Sequence, residues 1–321
     1  MTKQSTNDFG RVPTMLRRVL FPMALSLLIV SGTAHAKTLI VAYAGSMGPL
    51  MDHYIGPKFA RLHHARYQGI GRGAFGLAHM IQARQINPDI FISITRGPIR
   101  LLEKAGLAPR GSAFASTRMV LAWSPHSPLA QKFAAVKLGH GDWYKIIETQ
   151  WCHFGRTDPI TDPQGRATVL CLMLAAKFYH QPHLVALTLG PMENPAQIFT
   201  EASLMFRLRA GQLDACVTYQ SAACAADIPF MPLPPPINLG DIRYEKQYTT
   251  VVMHVKSGDG RIFHFQAHPL VFYSTVLKHA RHPRLAKAFV HYLRGRNVKP
   301  WLRACGYTPL SATMASALSR P

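Results

Sequence analysis

Acidic side chains are scarce in this sequence: its 321 residues include 15 Asp and Glu against 36 Lys and Arg, a net charge of +21. The electric field of so basic a protein attracts anions of every size, from small ions to nucleic acids and anionic membranes. Stretches that interleave basic and aromatic residues, which are typical of nucleic-acid-binding surfaces, are missing, and the arginines are scattered. The composition favours a small anionic partner over a nucleic acid, although an ordinary basic surface would share it.

Long apolar stretches are also lacking. The apolar run from Leu20 to Val30 is too short to span a bilayer as a stable anchor. Two arginines, Arg17 and Arg18, precede it, and Ala34-His35-Ala36 matches the small-x-small pattern of a cleavage site. We therefore predict a signal peptide over residues 1–36, cleaved near Ala36-Lys37, and a periplasmic mature protein.

Cysteine spacings of the CxxC type are absent, so neither a zinc motif nor a redox motif is indicated. The closest pair in sequence is Cys216 with Cys224, and an oxidising compartment would permit pairing. The sixteen histidines are dispersed. We expect no resident metal and no cofactor.

Continuous apolar stretches rich in β-branched residues alternate with helical segments along the chain. Thr38–Tyr43 and Asp89–Ser93 have the composition of buried parallel strands, and the glycine-rich loop Gly71–Gly76 leads into a helix. Met119–Trp123 and Leu213–Tyr219 predict further strands in a second unit. This alternation is typical of an α/β fold with a mainly parallel sheet, in which ligands bind where strands end and helices begin.

Residues 154–166 combine turn residues with the start of a long apolar helix. The pairs Asp158-Pro159 and Asp162-Pro163 disfavour regular structure before residue 162. Asp162 can cap the helix, and Pro163 suits its first position. The free N–H groups and positive dipole of a helix start attract an anion. A capped helix with solvated charges nearby would explain the same residues.

Six short motifs follow one another along the mature chain. In chain order they are Ala44–Ser46, Pro88–Ser93, Arg118–Pro125, Gly155–Pro159 with Asp162–Gly165, Ala210–Asp214 with Tyr219–Ser221, and Leu233–Gly240. Together they resemble motifs of the periplasmic oxyanion-binding proteins of ABC transporters. The resemblance is closest to the tungstate/molybdate-binding branch of the type 1 extracellular solute-binding family, and it covers nearly all of the mature chain.

This resemblance implies a two-lobed α/β fold, each lobe a mainly parallel sheet flanked by helices, with the ligand in the cleft between the lobes. Lobe 1 would comprise residues 37–117 and 227–321, and lobe 2 residues 118–226. The strand predicted at Met119 and the Pro-rich stretch Pro229–Pro236 agree with this division. We expect a monomer that works with an ABC permease.

Four side chains match ligand positions of the family, residue by residue. Ser46 matches a serine of the first anion loop, and Tyr219 matches a hydroxyl donor. Asp158 and Glu201 match two carboxylates that, in this branch, approach the metal centre of the oxyanion and raise it from tetrahedral to octahedral coordination. A carboxylate facing an anion is otherwise repulsive, so this pair implies a Lewis-acidic centre such as Mo(VI) or W(VI). A plain helix cap for Ser46 and a half-buried strand aromatic for Tyr219 are the structural alternatives.

Several positions depart from the family pattern. Ala74 stands where the family has a second serine, Gln164 replaces a cysteine, Arg166 a tyrosine and Gln212 a glutamate. Arg72 or Arg166 could supply positive charge in place of the missing hydroxyl. These departures leave sulfate, thiosulfate or an organic anion open as ligands.

We therefore expect a periplasmic solute-binding protein that captures molybdate or tungstate, delivers it to an ABC permease and performs no chemistry. A binder of another small anion and a sensor for a membrane partner are alternatives within the binding class. A secreted enzyme with Asp158 and Glu201 as acid and base is the alternative from another class. The absence of a nucleophile motif such as GxSxG gives the enzyme no support.

Overall fold

The computed structural model describes residues 36–256 and 260–319. Apart from Ala36, the predicted signal peptide lies outside the described residues. Within the described ranges, no helix combines the length and the apolar character that crossing a membrane requires.

Strands and helices alternate over most of the described chain. The strands are β1 (Thr38–Ala44), β2 (Arg66–Arg72), β3 (Ile90–Ile94), β4 (Ser112–Ser116), β5 (Met119–Trp123), β6 (Phe154–Gly155), β7 (Ala215–Tyr219), β8 (Phe230–Pro232), β9 (Val252–Lys256), β10 (Ile262–Gln266), β11 (Val271–Val276) and β12 (Thr308–Pro309). The helices of the first part are α1 (Gly48–Leu50), α2 (Gly56–Leu62), α3 (Ala74–Gln82), α4 (Gly97–Lys104), α5 (Ala130–Lys137), α6 (Trp143–Ile147) and α7 (Pro163–Phe178). Those of the second part are α8 (Leu184–Leu189), α9 (Glu201–Arg209), α10 (Gln220–Ala225), α11 (Glu245–Tyr248), α12 (Pro283–Leu293), α13 (Lys299–Ala304) and α14 (Ala312–Leu318).

A six-stranded sheet with the order β12-β4-β11-β3-β1-β2 forms the first half of the fold. Strands β1 and β3 are almost wholly buried, because hydrophobic side chains cover both of their faces. β1 runs parallel to β2 and β3, whereas β11 runs antiparallel to β3 and β4. The α/β fold is therefore confirmed, but the sheet is mixed and not mainly parallel.

The antiparallel course of β11 follows from the path of the chain. The chain leaves the first sheet after Ser116 and passes through Thr117 and Arg118 into β5 of a second sheet. It returns at Val271, which pairs with Ser116. A strand that enters at the edge where another has just left must run in the opposite direction.

The second sheet has four strands in the order β6-β7-β5-β8. β6 is parallel to β7, and β5 is antiparallel to both β7 and β8. The predicted end of lobe 2 at residue 226 does not include β8, although β8 pairs with β5 through Met231. An edge strand tolerates Pro232 because its outward N–H has no strand partner to lose. We propose the two sheets and their helices as the two lobes, with lobe 2 extended to Pro232.

Helix α7 packs its first turn very tightly on the loop that precedes it. A Cβ on Gly165 would clash with the carbonyl oxygen of Thr157 and would lie 2.7 Å from the carbonyl carbon of Asp158. Both are backbone atoms, which cannot move aside as the end of a flexible side chain can. Gly165 therefore allows the loop and the helix start to approach this closely.

We predict that Gly165→Ala lowers the free energy of unfolding by roughly 1–3 kcal/mol, because the added methyl overpacks the loop against the helix. Urea denaturation would measure this. Gly76→Ala is the matched control, since Gly76 lies in α3 with open space around it, and it should stabilise the protein by up to roughly 1 kcal/mol. Equal effects of the two substitutions would contradict the packing argument.

Candidate functional site

A cavity of about 530 Å³ lies where strands of both sheets end. The last residues of four strands line it, namely Ala44 of β1, Arg72 of β2, Ile94 of β3 and Tyr219 of β7. Because the first three strands run in the same direction, their carboxyl ends meet at one edge of their sheet. The edge of the second sheet that holds Tyr219 forms the opposite wall. This is the position in which open α/β folds bind ligands.

Three helices begin at this cavity. Their first residues line it: Ala74 of α3, Pro163 and Gln164 of α7, and Glu201 and Ala202 of α9. The N–H groups of a first helical turn have no acceptor within the helix, and the helix dipole adds partial positive charge at the same end. The backbone therefore favours an anion in this cavity.

Two buried polar side chains at the cavity lack hydrogen-bond partners among the described residues. They are the hydroxyl of Tyr219 and both amide atoms of Gln164. Tyr219 is 2% exposed and Gln164 1% exposed. Burying a polar group without a partner costs roughly 1–3 kcal/mol, so native proteins rarely keep such groups unless something else satisfies them. Their position at the cavity identifies donors and an acceptor for a polar ligand.

Two carboxylates, Asp162 and Glu201, line the same cavity. Burial, and then the negative charge of Asp162, raises the pKa of Glu201 to about 7. Burial also raises the pKa of Asp162, although the backbone N–H of Gln164 donates to its carboxylate at 2.8 Å and opposes this effect. Burial together with both carboxylates keeps the pKa of Tyr219 well above its ordinary value, so this phenol remains a hydrogen-bond donor.

Five of the residues predicted from the sequence line the cavity. They are Ser46, Arg72, Ala74, Glu201 and Tyr219. Ser46 lies in the short helical turn Gly45–Met47 that follows β1, and its carbonyl accepts a hydrogen bond from the hydroxyl of Tyr307 at 2.9 Å. The ligand-binding roles of these residues remain predictions.

Asp158 is not among the described residues that line the cavity. Its carboxylate instead accepts hydrogen bonds from the N–H of Ile160 at 2.9 Å and from the hydroxyl of Thr161 at 2.8 Å. Such bonds to residues two and three positions ahead are typical of an aspartate that shapes a turn. The structure brings Asp162, the capping residue of α7, to the cavity beside Glu201. Because each aspartate precedes a proline, the motif alone did not distinguish their roles.

Arg166 lies beside a neighbouring pocket and not in the wall of the cavity. Its guanidinium donates to the carbonyl oxygens of Pro159 and Ile160. The same group stacks on two aromatic rings, with 5.3 Å to the centroid of Phe75 and 4.2 Å to that of Phe265. In this geometry Arg166 fixes the loop before α7 and does not extend toward an anion in the cavity.

Sequence reasoning treated Asp162 only as a cap and Gln164 only as a departure from the family pattern. Both residues lie in the first turn of a helix that begins at the cavity. The free N–H groups of a helix start are available to a ligand, and residues beside them lie close to that ligand. This position could have identified Asp162 and Gln164.

The fold and the cavity together define a protein of the periplasmic-binding-protein type, with two α/β lobes around a site at the ends of their strands. Residues 39–308 match the bacterial extracellular solute-binding protein family, so the chain belongs to that family. The resemblance to extracellular solute-binding proteins is therefore confirmed. The family consists of solute-binding proteins of transport systems.

Curated relatives align with the larger part of the chain. A solute-binding protein of Methanoculleus marisnigri is 28% identical over 220 residues, which are 61% of this chain and 60% of that protein. A molybdate/tungstate-binding protein of Pyrococcus abyssi is 29% identical over 210 residues, 59% of each chain. The chain thus spans about three-fifths of the length of these two relatives.

A solved structure shows the same architecture. The periplasmic molybdate-binding protein of Azotobacter vinelandii superposes with a TM-score of 0.57 at 16% sequence identity, covering 85% of this chain and 100% of that chain. At this identity the similarity shows the fold alone.

We predict that Tyr219→Phe increases the free energy of unfolding of the ligand-free protein by roughly 1 kcal/mol, because it removes a buried hydroxyl that has no partner among the described residues. Thermal or urea denaturation would show this. Tyr307→Phe is the matched control: it removes a hydroxyl that donates to Ser46, and should lower the free energy of unfolding by a similar amount. Destabilisation by Tyr219→Phe would mean that its hydroxyl is already satisfied.

We predict that Glu201 makes the stability of the ligand-free protein depend on pH. Since folding raises the pKa of Glu201 from 4.5 to about 7, the folded state keeps a proton that the unfolded chain releases. Stability from this group is fully present below about pH 4.5 and is lost as the pH rises to about 7.

Urea denaturation of the wild type and Glu201→Gln across this range would measure the effect. The wild type should lose stability relative to the variant with rising pH. Glu193→Gln, at an exposed position, is the control and should follow the wild type. Parallel curves for Glu201→Gln and the wild type would contradict the assignment.

Proposed function

We propose that this protein captures molybdate or tungstate in the cavity and delivers it to an ABC permease. The observation that carries the proposal is the presence of two carboxylates, Asp162 and Glu201, in a cavity that also holds helix starts and the hydroxyl-bearing residues Ser46 and Tyr219. The names of relatives such as the Pyrococcus abyssi protein support the same ligand class.

The carboxylates distinguish between kinds of anion. Sulfate contains no metal, so a carboxylate in contact with it meets only negatively charged oxygens. Molybdate and tungstate carry a Lewis-acidic Mo(VI) or W(VI) centre that can accept additional oxygen ligands. Asp162 and Glu201 would then bind the centre, while donors around the cavity bind the oxygens. In this proposal Asp162 takes the role that the sequence assigned to Asp158.

The donors are the first-turn N–H groups of α3 and α9, the hydroxyls of Ser46 and Tyr219, and the side-chain amide of Gln164. At the start of α7, Pro163 has no N–H and that of Gln164 already donates to Asp162. Ala74 contributes no hydroxyl, so the N–H groups at the start of α3 act alone at that position. Arg72 is exposed at the edge of the cavity, where its charge attracts an incoming anion. Closure of the two lobes would exclude water and strengthen all of these bonds.

We further propose that the protein is a periplasmic monomer and performs no reaction on its ligand. Family membership supports a role in solute binding. Asp162 and Glu201 could act as acid and base in an enzyme, but a sequence without a GxSxG motif offers no nucleophile of that class beside them.

We expect isothermal titration calorimetry to show binding of molybdate and tungstate and at least tenfold weaker binding of sulfate, because only the first two can use the carboxylates. Asp162→Asn should weaken molybdate binding by at least tenfold, roughly 1.4 kcal/mol. Asparagine is as good a helix cap as aspartate, so this variant keeps the start of α7.

Asp158→Asn is the matched control, since it makes the same change of charge four residues earlier and can keep the hydrogen bond from Ile160. It should change the affinity less than threefold. Heat from none of the three anions would refute the oxyanion proposal, and equal affinity for sulfate and molybdate would refute the role of the carboxylates.

A further inference from the structure

Two cysteines that are far apart in the sequence lie on either side of a contact between the sheets. Cys224 belongs to α10, which directly follows β7 of the four-stranded sheet. Cys305 follows α13 and precedes β12 of the six-stranded sheet. Both are half-buried, and both carry free thiols in the structure.

The contact between these segments is very close. The Sγ of Cys224 would lie 2.8 Å, and the carbonyl oxygen of Gln220 2.9 Å, from a Cβ added to Gly306. Gly306 also has a φ of +79°, which favours glycine. Cys305 directly precedes Gly306, and its Cα is therefore about 3.8 Å from the Cα of Gly306, which the Cys224 thiol approaches.

The Cys224 thiol also acts electrostatically on Cys305. Burial, and then the charge of Cys224, raises the pKa of Cys305. Burial raises the pKa of Cys224 as well, while Arg118 lowers it. Raised pKa values reduce the thiolate fraction at neutral pH, so uncatalysed reaction of this pair is slow.

The other cysteines are placed less favourably for a bond between the sheets. Cys171 and Cys216 are fully buried, within α7 and β7. Cys152 is half-buried and lies just before β6. The pair closest in sequence, Cys216 with Cys224, would join a strand to the helix that follows it and would connect nothing between the sheets.

We propose that Cys224 and Cys305 form a disulfide in an oxidising environment and thereby fasten the two sheets to each other. The chain crosses between the sheets at this place: the hydroxyl of Thr117 donates to the carbonyl of Gly306 at 3.4 Å. The same contact borders the cavity, because Ala222 and Ala225 of α10 line it. The bond would add a covalent link between the two sheets at this crossing, beside the cavity.

The chemistry is a two-electron exchange with a small-molecule disulfide. A Cys thiolate attacks one sulfur of glutathione disulfide and releases one glutathione thiol. The second Cys thiolate then attacks the mixed disulfide and releases the other. Two protein thiols are oxidised and one glutathione disulfide is reduced to two thiols, so atoms and electrons balance.

Reduced, folded protein would be incubated with glutathione disulfide at pH 8.5, alkylated, digested without reduction and examined by mass spectrometry. We expect one linked peptide that joins Cys224 to Cys305. Cys224→Ser and Cys305→Ser should each abolish it, whereas Cys152→Ser, at another half-buried cysteine, should leave it unchanged. No linked peptide, or Cys224 joined to a different cysteine, would overturn the proposal.

Thermal unfolding gives a second readout that needs no ligand. The bond would close a loop of about 80 residues, which restricts the unfolded chain, so oxidation should raise the Tm of the wild type by roughly 5–8 °C. Oxidised Cys224→Ser should show no rise. An unchanged Tm in a wild type that mass spectrometry shows to be linked would refute the fastening of the sheets.

Discussion

The candidate site depends on a constraint of chain path. The chain leaves the first sheet at Ser116, and Val271 pairs with that same residue on the return. Met119 pairs with Tyr219, so the second sheet presents the end of β7 at the edge where β5 enters. The ends of strands from both sheets are thereby brought to one cavity. Residues separated by more than 170 positions, such as Ser46 and Tyr219, come together for this reason alone.

Groups that favour a bound anion and groups that repel one lie close together around the cavity. Three helix starts favour negative charge, while two half-buried carboxylates oppose it. The N–H groups are fixed in the first helical turns, and the two carboxylates belong to the residues that cap α7 and begin α9. Under the proposed function, the ligand satisfies both, because it carries negatively charged oxygens around a centre that accepts electron pairs. The chemistry of the walls therefore restricts the ligand more than the size of the cavity does.

Much of the fold could be predicted because hydrophobic patterns report burial. The predicted strands at Thr38, Asp89, Met119 and Leu213 agree with the structure to within two residues at each end. Strands β4 and β11 were not predicted: β4 has small or polar residues on both sides of Phe114, and Ser and Thr interrupt the apolar pattern of β11. A mainly parallel sheet was also wrong, because pairing direction depends on the chain path and not on composition.

The site was predictable near strand ends and at helix starts. Arg72 and Tyr219 end strands, Ser46 follows β1 within two residues, and all three reach the cavity. Ala74 and Glu201, which begin α3 and α9, reach it as well. The choice between Asp158 and Asp162 depended on three-dimensional placement. Both precede proline and both accept a hydrogen bond from the N–H two residues ahead, but of the two only Asp162 lines the cavity. The close approach of Cys224 to Gly306 joins segments about 80 residues apart and leaves no local pattern in the sequence.

The stacking of Arg166 on Phe265 connects the start of α7 to a strand whose described residues do not line the cavity. Phe265 lies on β10, which forms a hairpin with β9. The hairpin thus supports the helix start that carries Asp162. In a homologue with a different hairpin, the Asp162 carboxylate could take a different position in the cavity while the residues that line the cavity stay the same. The ligand affinity of such proteins would change through residues outside the cavity that hold α7 in place, and not through residues that contact the ligand.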